Sequence, residues 1–307
     1  MAVADAGSFS RAASAIRVAQ PALSRQVFEL EQIVGVDLLV RIARGVRPTE
    51  AGKAFYREAA SILRRVEGLP EIARSAGGDV GGVVVLGLSS TLASFLTGPF
   101  LEACRTAYPR VKLSLITGDS VMLKSRINAG YLDLAVVYED QPGTGFTRER
   151  LYRQQLYLVR QGALDDDAGP VSIASLAGLP LVLPAPPNVT RILLDRAFVA
   201  AGTVPNVVAE ADVMTGLLAA VQRGLGNTIL PKGDLSDVPG SGNLRLWPIE
   251  PPLHLTAAIL SSEEASLGTA ATVVRDLLVD FLFEMMTASP PPGAQWVGHR
   301  PAHAGPA

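Results

Sequence analysis

Two short helical patterns separated by only three residues constrain this sequence most. Residues 8–16 begin with serines that suit an N-cap and place small apolar residues on one helical face. Pro21 suits the first turn of a second helix, whose apolar residues repeat at spacings of four and three until Gly35 ends the pattern. Two helices joined by so short a break predict a helix-turn-helix.

A β-prone stretch with a glycine turn follows the second helix. Residues 38–47 carry apolar residues and arginines on both sides of Gly45, which predicts a small hairpin wing. Residues 1–75 have a net charge of +3 and the remainder a net charge of −5. This basic excess is expected where nucleic acid binds, although solvated surface arginines explain it equally well. We therefore predict a winged helix-turn-helix DNA-binding domain at residues 1–48.

A long helix is predicted from Thr49, a good N-cap, to residue 76. Apolar residues recur along it at alternating spacings of four and three, which predicts a seam that packs on its own domain or pairs with a second chain. Its position after a DNA-binding unit favours dimerisation. Pro70 predicts a kink or an early stop near Leu69, and glycines between 77 and 82 predict a hinge. The seam residues are Phe55, Ala59, Ile62, Val66, Leu69 and Ala73.

The rest of the chain alternates predicted strands and helices, which favours an α/β fold with parallel sheets. Two sets of such elements predict two lobes within residues 83–287. We place lobe I at about 83–155 and 261–287, and lobe II at about 156–260. The proline-, glycine- and alanine-rich residues 288–307 predict a disordered tail.

Composition limits the function classes. One cysteine forms no internal disulfide, and three scattered histidines predict no metal site and no cofactor. Neither a membrane-spanning apolar run nor a signal peptide is present, which predicts a cytoplasmic protein. No phosphate loop, nucleophile elbow or metal-ligand cluster is visible, so we expect no catalysis. A transport-type binding protein would need a signal peptide and would not carry the first 75 residues.

At this point the sequence resembles the LysR-type transcriptional regulators over most of residues 1–287. In the second domain the resemblance rests on Tyr-Pro at 108–109, Gly-Tyr-Leu-Asp-Leu-Ala at 130–135 and Gly-Leu-Gly-Asn-Thr-Ile-Leu-Pro at 224–231. Leu-Pro-Leu-Val-Leu-Pro-Ala at 179–185 is similar to the nitrogen-assimilation-control branch. The N-terminal motifs are Gly-Ser-Phe-Ser-Arg-Ala-Ala at 7–13, Ala-Gln-Pro-Ala-Leu-Ser-Arg-Gln-Val at 19–27, Leu-Glu at 30–31, Gly-Val-Asp-Leu-Leu at 35–39 and Thr-Glu-Ala-Gly at 49–52.

The resemblance implies a periplasmic-binding-protein-like effector domain, a homodimer or homotetramer on a pseudopalindromic operator in double-stranded DNA, and contact with RNA polymerase. Two departures stand out. Members usually have about ten more residues before Ala4, so we expect the first helix to be truncated here. Val40 stands where an acidic residue is common. The alternative is a small-molecule binding protein without DNA-binding competence, if that truncation is disabling.

The second helix of the helix-turn-helix would enter the major groove with its N-terminus. Gln20 is expected to contact a base, because its amide pairs with adenine in a bidentate manner. Arg25, together with Arg47 or Thr49, is expected to contact phosphate. The alternatives are an N-cap role for Gln20 and a salt bridge from Arg25 to Glu29. The complete predicted DNA-binding set is Ser10, Gln20, Pro21, Ser24, Arg25, Arg47 and Thr49.

The effector is expected between the lobes, beyond the carboxyl ends of the strands. Hydroxyl residues recur there at helix starts, beginning with Ser89, and would face a small anionic metabolite together with one arginine. Each of these residues alone is more often an ordinary helix cap. The predicted effector-binding set is Ser90, Thr91, Ser120, Asn188, Thr190, Arg191 and Thr215.

Overall fold

The computed structural model describes residues 1–42, 45–75, 80–162, 169–264 and 266–299. The chain forms two compact units. The first comprises residues 1–73 with 128–131, and the second comprises residues 74–127 with 132–307. Of the features predicted from sequence, the side chains of Leu69 and Ala73 and the glycines at 77 and 78 lie outside the described residues.

The first unit is a winged helix-turn-helix, as predicted. A cluster of small side chains, Val3, Ala12 and Ala13, packs with Leu23 at its core. The two wing strands pair antiparallel. The elements in chain order are α1 (Ala2–Ala6), α2 (Phe9–Ile16), α3 (Gln20–Val34), β1 (Leu39–Ile42), β2 (Gly45–Pro48) and α4 (Glu50–Ser75).

Two local devices set the geometry of this unit. Arg17 ends α2 in the left-handed region with φ 57°, and its N–H bonds back to the last turn, which makes the sharp bend before α3. Glu31 of α3 accepts from the N–H groups of Leu38 and Leu39 at 2.8 and 2.9 Å. The carboxylate of α3 therefore fixes where the wing begins.

The long α4 begins as expected. Thr49 Oγ1 accepts from the N–H of Gly52 at 2.9 Å, which is an N-cap bond. The helix continues through Pro70 to Ser75, so it does not stop at Leu69. Ile62, Leu63 and Val66 leave about half of each side chain exposed in the single chain.

The second unit contains the remaining elements. In chain order they are β3 (Gly81–Ser89), α5 (Ser90–Ala107), β4 (Arg110–Gly118), α6 (Ser120–Asn128), β5 (Leu134–Glu139), β6 (Phe146–Gln155), β7 (Tyr157–Gln161), β8 (Val171–Ser172), α7 (Ile173–Leu176), β9 (Leu181–Leu183), α8 (Val189–Ala200), β10 (Val207–Glu210), α9 (Met214–Gln222), β11 (Thr228–Leu230), a 3-10 turn (Ser241–Asn243), β12 (Leu244–Glu250), β13 (His254–Ser262), α10 (Thr269–Ala288) and β14 (Ala294–Trp296).

These elements form two lobes. Lobe I has a six-stranded sheet in the order β14-β6-β13-β5-β3-β4, in which β3, β4 and β5 run parallel and the other pairs are antiparallel. Lobe II has a four-stranded sheet, β11-β7-β12-β8, and a parallel pair, β10-β9. The chain crosses between the lobes at 155–157 and 250–254. The α/β fold with two lobes is confirmed, but the sheets are mixed rather than parallel.

Two predicted boundaries are wrong. Lobe II does not extend to residue 260, because β13 pairs with both β5 and β6 in lobe I. The segment after α10 is not a disordered tail throughout, because β14 pairs with β6 and extends the sheet by one strand. Residues 300–307 lie outside the described residues.

Lobe packing buries large side chains, including Trp247, Tyr152, Phe100 and Phe198. Among the described residues, no helix combines the length and the apolar character needed to cross a membrane.

Candidate functional site

The first turns of α3 present one polar face to solvent. Gln20, Pro21 and Arg25 are exposed and Ser24 is half-buried, whereas Leu23 is buried. Residues three or four apart are neighbours on a helix surface, so Gln20 lies beside Ser24 and Pro21 lies beside both Ser24 and Arg25, whereas Leu23 is buried in the core of the unit. Ala19, not Gln20, is the N-cap, so the Gln20 amide is not used for capping.

Arg25 is paired on this surface. Its Nε lies 2.8 Å from Glu29 Oε1, and the two side chains are 81% and 55% exposed. The salt bridge that was the alternative interpretation of Arg25 is therefore present. Exposed pairs of this kind are weak, so a phosphate group competes readily for the guanidinium.

The other predicted DNA contacts differ in their availability. Ser10 and Arg47 are exposed. Thr49 Oγ1 donates to the Asp37 carbonyl at 2.7 Å and caps α4. Its hydroxyl proton is thus already used, and the structure gives Thr49 a capping role where we predicted a phosphate contact.

In the second unit, the start of α5 leaves polar groups unused. Ser89 is the N-cap, but its side chain makes no capping bond. Its Oγ is buried and has no hydrogen-bond partner among the described residues. Ser90 Oγ makes only a long contact, 3.5 Å, to the Asp212 carbonyl of lobe II, and Thr91 is buried. This helix start therefore has first-turn N–H groups without partners inside the helix, and an N-cap hydroxyl without a partner among the described residues.

Ser120 does not contribute to such a site. Its Oγ donates to the Tyr138 carbonyl at 3.0 Å, and Asp119 caps α6 by accepting from Met122 N–H at 2.8 Å. The prediction for Ser120 is wrong because its hydroxyl ties α6 to β5.

The start of α8 is already capped. Asn188 Oδ1 accepts from Thr190 N–H at 2.9 Å, and Thr190 is buried. Thr215, at the start of α9, is exposed, whereas its neighbour Met214 is buried and its Sδ lies 3.6 Å from Ser94 Oγ across the lobes. Of the predicted helix starts, that of α5 alone carries an orphan hydroxyl among the described residues.

Arg191 is neutralised within lobe II. Its guanidinium pairs with Asp195 at 2.9 Å and with Glu210 at 2.8 Å, and it also donates to the Pro184 carbonyl. Only 14% of the arginine side chain is exposed. Two carboxylates compensate one cation, so the predicted role of Arg191 as the charge partner of an anion is not supported.

Several cross-lobe contacts were not expected from the sequence. Arg196 of α8 pairs with Asp140 after β5. The Lys232 ammonium lies 4.8 Å from the centre of the Phe95 ring and 3.0 Å from Asp237. In the sequence, the only indication that Lys232 contributes to these contacts is its position directly after the 224–231 motif. These contacts join α5 and the end of β5 in lobe I to α8 and the β11 end of lobe II.

A buried pair of tyrosines lies where the two lobes meet. The hydroxyls of Tyr138 and Tyr152 are 3.0 Å apart, and Tyr138 donates to the Pro231 carbonyl of lobe II at 3.3 Å. Burial raises the pKa of both tyrosines, so both hydroxyls remain protonated. Within the described part of the chain, no group of acidic, histidine or cysteine side chains is arranged to hold a metal ion.

Comparison with known proteins agrees with this division. Residues 1–53 match the family "Bacterial regulatory helix-turn-helix protein, lysR family", and residues 77–282 match the family "LysR substrate binding domain". The helix-turn-helix with its wing falls within the first match, and most of the two-lobed unit, up to residue 282 in α10, falls within the second.

Whole-length relatives extend the comparison. The chain is 34% identical to the nitrogen assimilation regulatory protein nac of Klebsiella aerogenes, over 91% of this chain and 92% of that protein. It is 32% identical to the nac protein of Escherichia coli K12 with the same coverage, which confirms the resemblance to the nitrogen-assimilation branch. Full-length CbnR, solved with its target DNA, shares the fold with TM-score 0.63 and 23% identity, over 92% of this chain and 96% of that one. The chain therefore belongs to the LysR family of bacterial transcription regulators, which join an N-terminal DNA-binding helix-turn-helix to a C-terminal effector-binding domain.

Proposed function

We propose that this regulator reads a pseudopalindromic operator through the exposed start of α3 and responds to a small metabolite that places a carboxylate or similar anion at the start of α5. The observation that carries the effector assignment is Ser89, a buried N-cap whose hydroxyl has no partner among the described residues.

On the DNA side, Gln20 is the proposed base contact because its amide is exposed and free of capping. A bidentate amide contact to adenine contributes about 1–3 kcal/mol of discrimination. Arg25 and Arg47 are the proposed phosphate contacts, which add affinity without sequence information. Pro21, Ser24 and Ser10 complete the proposed surface.

Two chains are proposed to pair along α4. Ile62 and Val66 are one helical turn apart and expose 58% and 52% of their surface in the single chain. Covering this apolar stripe with a second copy of α4 is favourable, and two-fold symmetry then matches a pseudopalindromic site. A tetramer is two such dimers. We further propose that the protein works in the cytoplasm without catalysing a reaction and contacts RNA polymerase at its promoters.

The proposed effector subsite follows from α5. An 18-residue helix directs its free N–H groups and the positive end of its dipole at one point, which favours an anion by about 0.3–1 kcal/mol at exposed sites and more when buried. The Ser89 hydroxyl adds one donor from a nearly water-free position. Because Arg191 is already compensated by Asp195 and Glu210, this helix start, and not the arginine, is the proposed anion site.

Calorimetry on the full chain tests this subsite. The titrants are small carboxylic acids and, for each, the corresponding neutral amide. We expect a carboxylate to bind and its amide to bind at least about tenfold more weakly, and Ser89→Ala to weaken carboxylate binding about tenfold, the effect of one charge-assisted hydrogen bond.

The matched control is Thr106→Ala, which removes an exposed hydroxyl at the opposite end of α5 and should leave affinity unchanged. Equal binding of an acid and its amide, with no effect of Ser89→Ala, would show that the subsite lies elsewhere.

A further inference from the structure

Residues 289–299, here called the C-terminal strap, follow α10 and lie along the edge of β6. Ala294–Trp296 pair antiparallel with Gln154–Tyr152. The Gly293 carbonyl accepts from Gln155 N–H at 2.9 Å, and the Leu151 carbonyl accepts from the N–H groups of Val297 and Gly298 at 2.9 Å each. The Trp296 ring also packs edge-on against Phe283 of α10 at 5.3 Å. Lobe I therefore holds the strap along most of its length.

The strap also reaches lobe II. The Pro292 carbonyl lies so close to Gly233, in the loop after β11, that a Cβ at Gly233 would overlap with the carbonyl oxygen. The neighbouring Gly293, at φ 72°, lies against the side chain of Tyr157, the first residue of β7. Gln154 Nε2 fixes the same Pro292 carbonyl from lobe I at 3.1 Å. One turn of the strap thus touches both lobes.

This turn lies at the crossing between the lobes. The strap is bonded to Gln155, and the next residue, Leu156, donates to the Leu253 carbonyl of the second crossing at 2.8 Å. Gln155 Nε2 reaches the Ile249 carbonyl at 3.4 Å. The strap lies outside both family matches, which end at residues 53 and 282.

We propose that residues 289–299 are a strap that restrains the angle between the two lobes by holding the Gly233 loop of lobe II against the sheet of lobe I. Lobe rotation about the crossings must separate Gly233 from Pro292. The strap contacts therefore favour the arrangement in which Arg196 and Asp140 are paired across the cleft. The restraint stands without any ligand; its effect on effector affinity rests on the proposed function.

A simpler role for the strap is to cover the edge of β6, which protects an exposed strand from pairing with other chains. A substitution at Gly233 distinguishes the two roles. Edge protection depends on the pairing of β14 with β6 and does not involve Gly233. Restraint of the lobes depends on the close approach of Gly233 to Pro292.

The test is the distance between the lobes, measured by pulsed electron double resonance on the full chain without ligand. Spin labels are attached at Ser125→Cys on α6 and Ala174→Cys on α7, both exposed, in a Cys104→Ala background. Labelled protein is diluted with unlabelled protein, so that the distances lie within one chain. The variants are Gly233→Ala and a chain ending at Ser289, with Gly242→Ala as the control, because a Cβ at Gly242 meets nothing within 4 Å.

Molecules with the distance between labels that this structure implies are called closed, and those with a longer distance are called open. We expect Gly233→Ala to raise the ratio of open to closed molecules about fivefold, which corresponds to about 1 kcal/mol. The shortened chain should raise this ratio at least as much. Gly242→Ala should keep the parent distribution. An unchanged distribution in Gly233→Ala overturns the proposal, whatever the shortened chain shows, and leaves edge protection as the role of the strap.

Discussion

Arg25 and Glu29 form an ion pair one turn apart on α3, with 2.8 Å between Nε and Oε1. Both side chains are largely exposed, so water screens the attraction, and such helix pairs contribute about 0.3–0.5 kcal/mol. On DNA, Arg25 would exchange this carboxylate for a phosphate.

Glu29→Gln should therefore tighten binding to any duplex DNA about twofold, because the competing carboxylate is removed. Arg25→Ala should weaken binding to all sequences alike and reduce the dependence of log K on log salt by about one. Fluorescence anisotropy at several salt concentrations measures both effects. Weaker binding by Glu29→Gln would indicate that the ion pair itself positions Arg25, contrary to this interpretation.

The wing depends on the close approach of Gly45 to the backbone of Gly7. Gly45 has φ 129°, and a Cβ there would overlap with the Gly7 carbonyl oxygen, which accepts from Val46 N–H at 3.0 Å. Gly45→Ala combines this clash with backbone strain and should destabilise the first unit by about 1–3 kcal/mol. Thermal unfolding followed by circular dichroism should show a transition at a lower temperature than in the unaltered protein. DNA binding should also be weaker. Gly178→Ala, whose Cβ meets nothing within 4 Å, is the control. Matching unfolding curves for the two variants would show that the wing does not require glycine at position 45.

The first unit was predictable because local residues mark its boundaries. Pro21 lies in the first turn of α3, Gly35 ends that helix, and Thr49 caps α4, so each boundary is set by residues close to it in sequence. The same holds for the apolar seam of α4, whose spacing is visible without any knowledge of tertiary structure.

The missed features depend on distant partners. The strand β6 contains three consecutive charged residues at 148–150, and its pair with β13 shifts register between Ala257 and Ala258, which hides the alternation of buried and exposed positions. The prolines before Ala294 suggested disorder. The pairing of β14 with β6, which orders this segment, joins residues far apart in sequence and therefore leaves no local sequence signal. In the site, the pairing of Arg191 with Asp195 was visible at i+4, but its second partner, Glu210, is 19 residues away.

The charge of Arg191 is predicted to be structural. Arg191→Gln would leave Asp195 and Glu210 facing each other without a cation, and Glu210→Gln would remove one of these charges. A double-mutant cycle of the two substitutions should show a coupling of about 0.5–1 kcal/mol, discounted because both carboxylates are partly exposed. Urea unfolding of the four proteins measures it. A coupling near zero would mean that the arginine is available to a ligand after all.

The exposed stripe on α4 is predicted to be a subunit interface. Ile62→Glu with Val66→Glu would place like charges in a buried helix pair, which is strongly unfavourable without a partner charge. Sedimentation equilibrium should show a shift towards monomer, and operator affinity should fall with it. The control is Glu58→Gln, an exposed position on the same helix. An unchanged oligomer in the double variant would place the interface elsewhere.

If the start of α3 reads DNA sequence, a change there must alter the preference of the protein for one duplex over another. This preference is measured as the ratio of the dissociation constants for a scrambled duplex and for a duplex selected from a random pool by the unaltered protein, at one fixed salt concentration. Gln20→Ala should reduce this ratio by about five- to 150-fold, the loss of one bidentate base contact worth about 1–3 kcal/mol. Gln26→Ala, an exposed glutamine about 120° around the axis of α3 from Gln20, should leave it within about twofold. A ratio that Gln20→Ala leaves intact, or that both variants reduce equally, would contradict the assignment of this surface as the reader of the operator.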